Sequence, residues 1–195
     1  MDKQFTKEEV ASKVLEQYDE EQTRIFYTYV MGGGGNDIHF GIYRDPTDGV
    51  RESANRTTEW MMTQLDMAKE ITKDMHVLDV GSGHGGGSHA MAKKFGCKVT
   101  GINIGPGQNA MNLAKAKELK LDHLVDAVVG NINDPLPEEW TGKFDAIWSC
   151  EVLCHAGDKL ALFKDLYRCL KPGGAFVFSD ICGADGADEK ALKAF

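Results

Sequence analysis

The sequence predicts an α/β fold, a doubly wound and mostly parallel sheet preceded by a helical N-terminal arm. Three observations carry that expectation. From residue 75 onward, short runs rich in β-branched and aromatic residues (MHVLDV, KVTGIN, DAVVG, FDAIWS, GAFVFSD) alternate with helical stretches. That alternation is the pattern of strand–helix–strand units with parallel pairing. The first run leads straight into a glycine-dense turn, GSGHGGG at 81–87. Upstream of it, apolar residues recur at helical rather than strand spacing.

Taken in order, residues 6–30 read as helical. Thr6 and Glu9 have capping-box spacing, and Val10, Val14, Leu15 and Tyr18 follow a helical period. Four consecutive glycines at 32–35 then predict a flexible joint, since glycine loses the most backbone entropy on ordering; it is read as the hinge of a lid. Residues 52–71 return to helical periodicity through Trp60, Met61, Leu65 and Met67. Within the alternating part, helices are expected at 86–95, 106–119 and 158–170. Pro106 suits a first helical turn, and Asp158 suits an N-cap ahead of Leu160, Phe163, Leu166 and Leu170. The expected organisation is a helical arm or cap with a glycine hinge over 1–72 and an α/β core over 73–195, with no internal repeat or low-complexity tract.

Length and composition narrow the class. The 195 residues can build one domain with a proper core. A net charge of −8 argues against a nucleic-acid partner, which needs a basic surface. The N-terminal segment has no apolar stretch of the signal-peptide kind, and no run is long and apolar enough to span a membrane. The five cysteines form no disulfide framework, so reduced thiols and a cytoplasmic location are expected. Cys150, Cys154 and His155 carry metal-ligating atoms, but no paired CxxC accompanies them, so no metal is expected.

In doubly wound sheets a ligand lies beyond the carboxyl ends of the strands. After the first run come Asp79, Gly81, Ser82, Gly83, His84, Gly85 and Gly86; the glycines at 81, 83 and 86 satisfy G-x-G-x-x-G in a Rossmann-like strand–turn–helix context. A triphosphate loop is excluded, because no G-K-[ST] follows. Asp79 favours a ligand with a cationic group or donors over one led by a pyrophosphate. Asn103 ends the second run, where an NAD enzyme usually presents an acid to the ribose; it can still bond hydroxyls as donor and acceptor. An NAD(P)-dependent oxidoreductase stays open as an alternative on the glycines alone.

VLDVGSGHGGG, GINIGPGQNA, GNINDPLP, FDAIWSCEVLCH and LYRCLKPGGAFVFSD occur in an order that resembles class I S-adenosyl-L-methionine (SAM) methyltransferases. The resemblance covers about residues 75–182, and its first and last segments look like that family's glycine motif and its L-K-P-G-G turn before the fifth strand. It implies SAM as cofactor. Gly81, Gly83 and Gly85, with Ser82, would line its methionine and ribose portion, and Asp79 would orient the loop or the amino group. Asn103 and Ile104 take the ribose position, with Asn where most relatives have an acid. Gln108 resembles a glutamine beside the adenosine, Asn131 and Ile132 fall at the adenine-binding turn, and Ser149 is included at the end of the fourth strand.

The segment YDEEQTRIFYTYVMGGGGNDIHFGIY is similar to the tyrosine-rich arm of small-molecule methyltransferases. With CEVLCHAGDK it looks closest to the sarcosine/dimethylglycine N-methyltransferases of glycine betaine synthesis. The resemblance implies a small-molecule amine as substrate, with neither nucleic acid nor membrane as partner; oligomeric state is left open. His155 would stand at the reacting centre and pair with an arm tyrosine, with Tyr18 and Tyr27 as candidates for a cage around an ammonium group; Tyr29 is a further arm tyrosine. His84 and His89 are read as helix-face residues without a role. A substrate carboxylate calls for an arginine or lysine, with Arg44, Arg51 and Arg56 as candidates. C-methyltransferase and phosphoethanolamine-type activity are near alternatives, and a non-catalytic SAM-binding module is a further one. The segment DGADEKALKAF looks like the opening of another helix, so a C-terminally truncated chain is expected.

Overall fold

The computed structural model describes residues 6–183 and 186; the helix expected after residue 184 lies outside that range. Helices α1 (Lys7–Asp19) and α2 (Glu21–Phe26) and a π-helical turn (Tyr27–Met31) form the arm, and α3 (Val50–Ala68) follows. The core then alternates β1 (His76–Val80), α4 (Gly86–Phe95), β2 (Lys98–Asn103), α5 (Pro106–Glu118), β3 (Val125–Val129), β4 (Phe144–Cys150), α6 (Lys159–Cys169) and β5 (Leu170–Ser179).

The five strands run β3-β2-β1-β4-β5, and every pairing is parallel. The chain winds outward from β1 in one direction through β2 and β3, then in the other through β4 and β5. The switch point therefore falls between β1 and β4, where such sheets open a crevice. Apolar residues of α3, α4 and α5 (Met61, Leu65, Met91, Ala116) pack with Val77, Val99 and Trp148 on one face. Leu162 and Leu166 of α6 pack with Leu78, Ile147 and Phe144 on the other. Residues alternate between faces along each strand, so Val77 and Leu78 serve different cores.

Helix boundaries follow the caps. Thr6 and Glu9 form the capping box on α1, Pro106 opens α5, and the Asp158 carboxylate accepts from Ala161 N at 2.9 Å. Four expectations change. The helix expected over 6–30 breaks at Glu20, whose ψ of 145° is extended. The third helix occupies Val50–Ala68 rather than 52–71. The glycine quartet is a closed turn and not a loose joint: Gly32, Gly34 and Gly35 donate to Tyr27, Thr28 and Gly32 carbonyls at 2.7–2.8 Å. Gly33 has a φ of +55°, and a Cβ there would stand 2.7 Å from Arg51 N. At the other end, the L-K-P-G-G segment belongs to β5 itself, where the register with β4 shifts between Phe144 and Ala146.

Candidate active site

A cavity of about 350 Å³ opens at the carboxyl ends of the strands. Its floor is the glycine turn. Gly81 and Gly83 hold φ of +73° and +50°, and Gly81 N and Ser82 N donate to the Ile102 carbonyl at 2.8 and 3.2 Å. Val152 occupies the place a Gly81 side chain would need, and Ile38 Cδ1 lies 3.2 Å from a Cβ at Gly83. The turn can be this tight only with glycine at those positive φ values.

Asp79 is buried beneath the turn, and Ser88 Oγ donates to its carboxylate at 2.6 Å. Burial raises its pKa to about 6, against the opposing Ser88 hydrogen bond. On the β2 side, Asn103 Nδ2 donates to Gln108 Oε1 at 2.8 Å. That leaves Gln108 Nε2, like Ser82 Oγ, buried without a hydrogen-bond partner among the described residues. Ile104 and Ile132 supply apolar wall. Asn131 Oδ1 accepts from Asn133 N at 3.0 Å, and Asn133 Nδ2 reaches the His155 carbonyl at 3.2 Å, tying the β3 and β4 loops together.

The arm closes the opposite side. Tyr18 OH lies 3.3 Å from His155 Nε2, with the rings edge-on at 5.6 Å between centroids. The Tyr18 and Tyr27 rings stack at 4.8 Å, and Gln17 Nε2 donates to Tyr27 OH at 3.1 Å. Burial, then the neighbouring Tyr27, pushes the Tyr18 phenol well above its ordinary value. Burial holds the His155 imidazole below 6.5, so at neutral pH the pair is a phenol facing an uncharged imidazole.

Residues 36–40 run over the glycine turn as a strap. Thr58 Oγ1 donates to Asp37 Oδ1 at 2.9 Å and lies 3.0 Å from His39 Nε2. Thr57 Oγ1 donates to the Phe40 carbonyl at 2.9 Å. Phe40 N donates to the Glu151 carboxylate at 3.1 Å, and Glu151 itself holds a φ of +56°. Burial disfavours a charge on His39, but the Asp37 carboxylate and the Cys150 sulfur together outweigh it and push the pKa up to about 11.

The expected residues Tyr18, Tyr27, Asp79, Gly81, Ser82, Gly83, Asn103, Ile104, Gln108, Asn131, Ile132 and His155 thus meet on one cavity. Gly85 and Ser149 are not among its lining residues. Gly85 caps α4 with a φ of +85°, and the buried Ser149 hydroxyl donates to the Val80 carbonyl at 3.2 Å. Tyr29 points outward, 70% exposed. Arg44, Arg51 and Arg56 do not reach the cavity; Arg56 pairs with Asp48 and Glu52, and Arg51 packs on the glycine quartet. Among the described residues no arginine or lysine lines it. His89 lies on the buried face of α4, and His84 is buried in the turn that precedes that helix. Sequence reasoning missed Asp37, His39 and Glu151. Glu151 directly follows β4, where the strand-end rule points; the strap has no periodicity to flag it. Among the described residues, the metal-capable side chains brought together are His39, Cys150 and Glu151, with ligand atoms within 4.8 Å, and not Cys150, Cys154 and His155. No helix among the described residues is long and apolar enough to cross a membrane.

A family model described as a methyltransferase domain matches residues 78–178. The sarcosine/dimethylglycine N-methyltransferase of Halorhodospira halochloris is 32% identical over 176 residues, covering 90% of this chain and 61% of that protein. The glycine/sarcosine/dimethylglycine N-methyltransferase of Actinopolyspora halophila is 33% identical over 175 residues, covering 90% of this chain and 30% of that protein. Among solved structures, a proposed sarcosine dimethylglycine methyltransferase from Galdieria sulphuraria superposes with a TM-score of 0.81 at 32% identity, covering 89% of this chain and 65% of that one. The chain thus spans less than two thirds of the length of these relatives.

Proposed function

This chain belongs to the family of methyltransferase domains, and we propose that it is an S-adenosyl-L-methionine-dependent N-methyltransferase. Its acceptor is the amine of a small amino acid, sarcosine or dimethylglycine, on the way to glycine betaine, and it works in the cytoplasm. The names of its relatives support the acceptor. The observation that carries the reading is that Tyr18 and Tyr27 of the arm, His155 and the glycine turn line one cavity.

That cavity suits SAM. Gln108 Nε2 and Ser82 Oγ are buried polar atoms with no partner among the described residues, as a site built for a polar ligand leaves them. Asp79 would take the amino group, Gly81 and Gly83 would give backbone access, and Asn103 with Gln108 would hold the ribose and adenosine. Ile104 and Ile132 would flank the base, and Asn131 would meet its polar edge. When bound, the cofactor supplies a methyl group made electrophilic by its sulfonium charge.

The chain's own residues orient the acceptor and manage its proton. An amine attacks only when unprotonated, and the uncharged His155 can hold the displaced proton at Nε2. Tyr18, kept a phenol by burial, lies 3.3 Å from that nitrogen and so fixes the ring. Tyr27 stacks behind it and offers an aromatic face to an ammonium group. Arm and strap together keep water from the reacting atoms, and alignment is worth several orders of magnitude in rate.

One observation favours a second reading. With no arginine or lysine on the described cavity wall, an acceptor without a carboxylate, as in a C-methyltransferase, also fits. Transfer of label from methyl-labelled SAM to sarcosine, dimethylglycine, phosphoethanolamine and a sterol separates the readings. Label appearing in betaine supports the first; label only in the sterol overturns it. Calorimetric binding of NADH without binding of SAM would overturn both.

A further inference from the structure

Asp19 closes α1 with a negative charge at the helix C-terminus, where the macrodipole disfavours an anion, and no basic residue balances it in that last turn. Its carboxylate is instead spent on another element. Gly107 N and Gln108 N, the second and third residues of α5, donate to Asp19 Oδ2 and Oδ1 at 3.2 and 2.9 Å. Those amides have no partner within their own helix. The residue preceding α5 is Gly105, with no side chain to cap them. Asp19 therefore does, from 88 residues away in sequence, what an N-cap side chain does locally.

The glycines of α5 fit the same purpose. Gly105 and Gly107 lack a positive φ, so no turn geometry demands them. A Cβ at Gly105 would stand 2.6 Å from Asp19 Oδ1, and one at Gly107 would stand 2.8 Å from it and against Arg24 Nη1. Arg24 in turn donates to the Asp19 carbonyl and lies 3.8 Å from its carboxylate. The I-G-P-G-Q stretch is thus a seat shaped for the end of α1.

Two parts of the cavity meet at this seat. Gln108 gives its N–H to Asp19 and lines the cavity, its Nε2 buried without a hydrogen-bond partner among the described residues. Tyr18, the neighbour of Asp19, reaches His155. We propose that Asp19 is a positioning residue that couples the cofactor side of the cavity to the seating of the arm, with the first turn of α5 as the shared part. A ligand that orders Gln108 then favours the seated arm, and the seated arm favours that ligand by the same factor. The kinetic consequence rests on the methyltransferase reading above; the docking itself does not.

Residue-resolved amide exchange tests the docking. Asp19→Ala should speed exchange at Gly107 and Gln108 about fivefold or more, the scale of losing one cap, with the rest of α5 unchanged. Asp19→Asn, which keeps an acceptor oxygen, should restore most of the protection. Gly107→Ala should mimic Asp19→Ala although alanine is the better helix former. Saturating SAM should further protect both amides in the wild type and not in Asp19→Ala. In methyl transfer, Asp19→Ala should lower kcat on the order of 10²-fold, as misplaced catalytic groups do, while the SAM dissociation constant rises by much less. Unchanged exchange at the two amides in Asp19→Ala, or normal kcat with those amides exposed, overturns the proposal. If the wild type methylates no acceptor, the function assigned above fails, and the exchange data still decide whether Asp19 seats the arm.

Discussion

At the scale of single residues, Gly83 and His155 divide binding from chemistry. Gly83 combines a φ of +50° with Ile38 Cδ1 only 3.2 Å from the Cβ position. A β-branched side chain there meets both backbone strain, of order 1–3 kcal/mol, and a filled space. Gly83→Val should therefore abolish SAM binding in calorimetry while circular dichroism still reports a folded sheet. His155→Ala should instead lower kcat by about 10²-fold or more, the usual contribution of a positioned proton acceptor, with little change in SAM affinity. Equal loss of both would make His155 structural. Because burial depresses the His155 pKa, the imidazole stays uncharged below the ordinary histidine range. The acid limb of kcat/KM should accordingly fall below pH 6.5 in the wild type. Tyr18→Phe removes the hydroxyl 3.3 Å from Nε2 and should lower kcat by a smaller factor than His155→Ala. Helical periodicity placed Tyr18 and a strand end placed His155, but their pairing, and Tyr27 beside them, came from the family resemblance of the arm and of CEVLCHAGDK. Ser149 was misplaced because a strand-end position does not say whether the side chain faces ligand or neighbouring strand.

At the scale of elements, the strap over 36–40 carries a pH-sensitive pair. His39 has a folded-state pKa pushed up to about 11 from an ordinary 6.5, with the Asp37 carboxylate and the Cys150 sulfur together prevailing over burial; His39 and Asp37 lie 3.6 Å apart. A histidine whose pKa is raised by folding stabilises the fold fully below its unfolded value, and loses that contribution as pH climbs to the folded one. Melting temperature should thus fall as pH rises from about 6.5 towards about 11, and His39→Gln should flatten that slope. A slope equal in both proteins would remove His39 as its source. The strap was invisible in the sequence, since its order comes from Thr57, Thr58 and Glu151 on other elements and from no period of its own. The break at Glu20 was hidden for a related reason: EEQ favours helix, and the bend goes with the seating of Asp19 on α5. By contrast, α4, α5 and α6 were legible to within a residue because glycine, proline and Asp158 punctuate them locally.

At the scale of the molecule, the doubly wound order leaves the crevice between β1 and β4, and each wall of the cavity comes from a different part of the chain. The glycine turn follows β1, Asn103 and Gln108 come from β2 and α5, His155 follows β4, and the tyrosines belong to the arm. A ligand filling that space binds only the assembled fold, so it must stabilise the whole by mass action. With SAM at about 100 times its dissociation constant, the gain is about 2.7 kcal/mol. For a domain of this size each kcal/mol raises Tm by about 2–4 °C, so the expected shift is roughly 5–10 °C. NADH at the same concentration should produce none, since Asn103 and Asp79 replace the groups a dinucleotide pyrophosphate and ribose require. Asp19→Ala should shrink the SAM-induced shift, because a ligand that no longer orders the arm stabilises less of the molecule. A full shift in that variant would mean that the cofactor side melts as a unit independent of the arm.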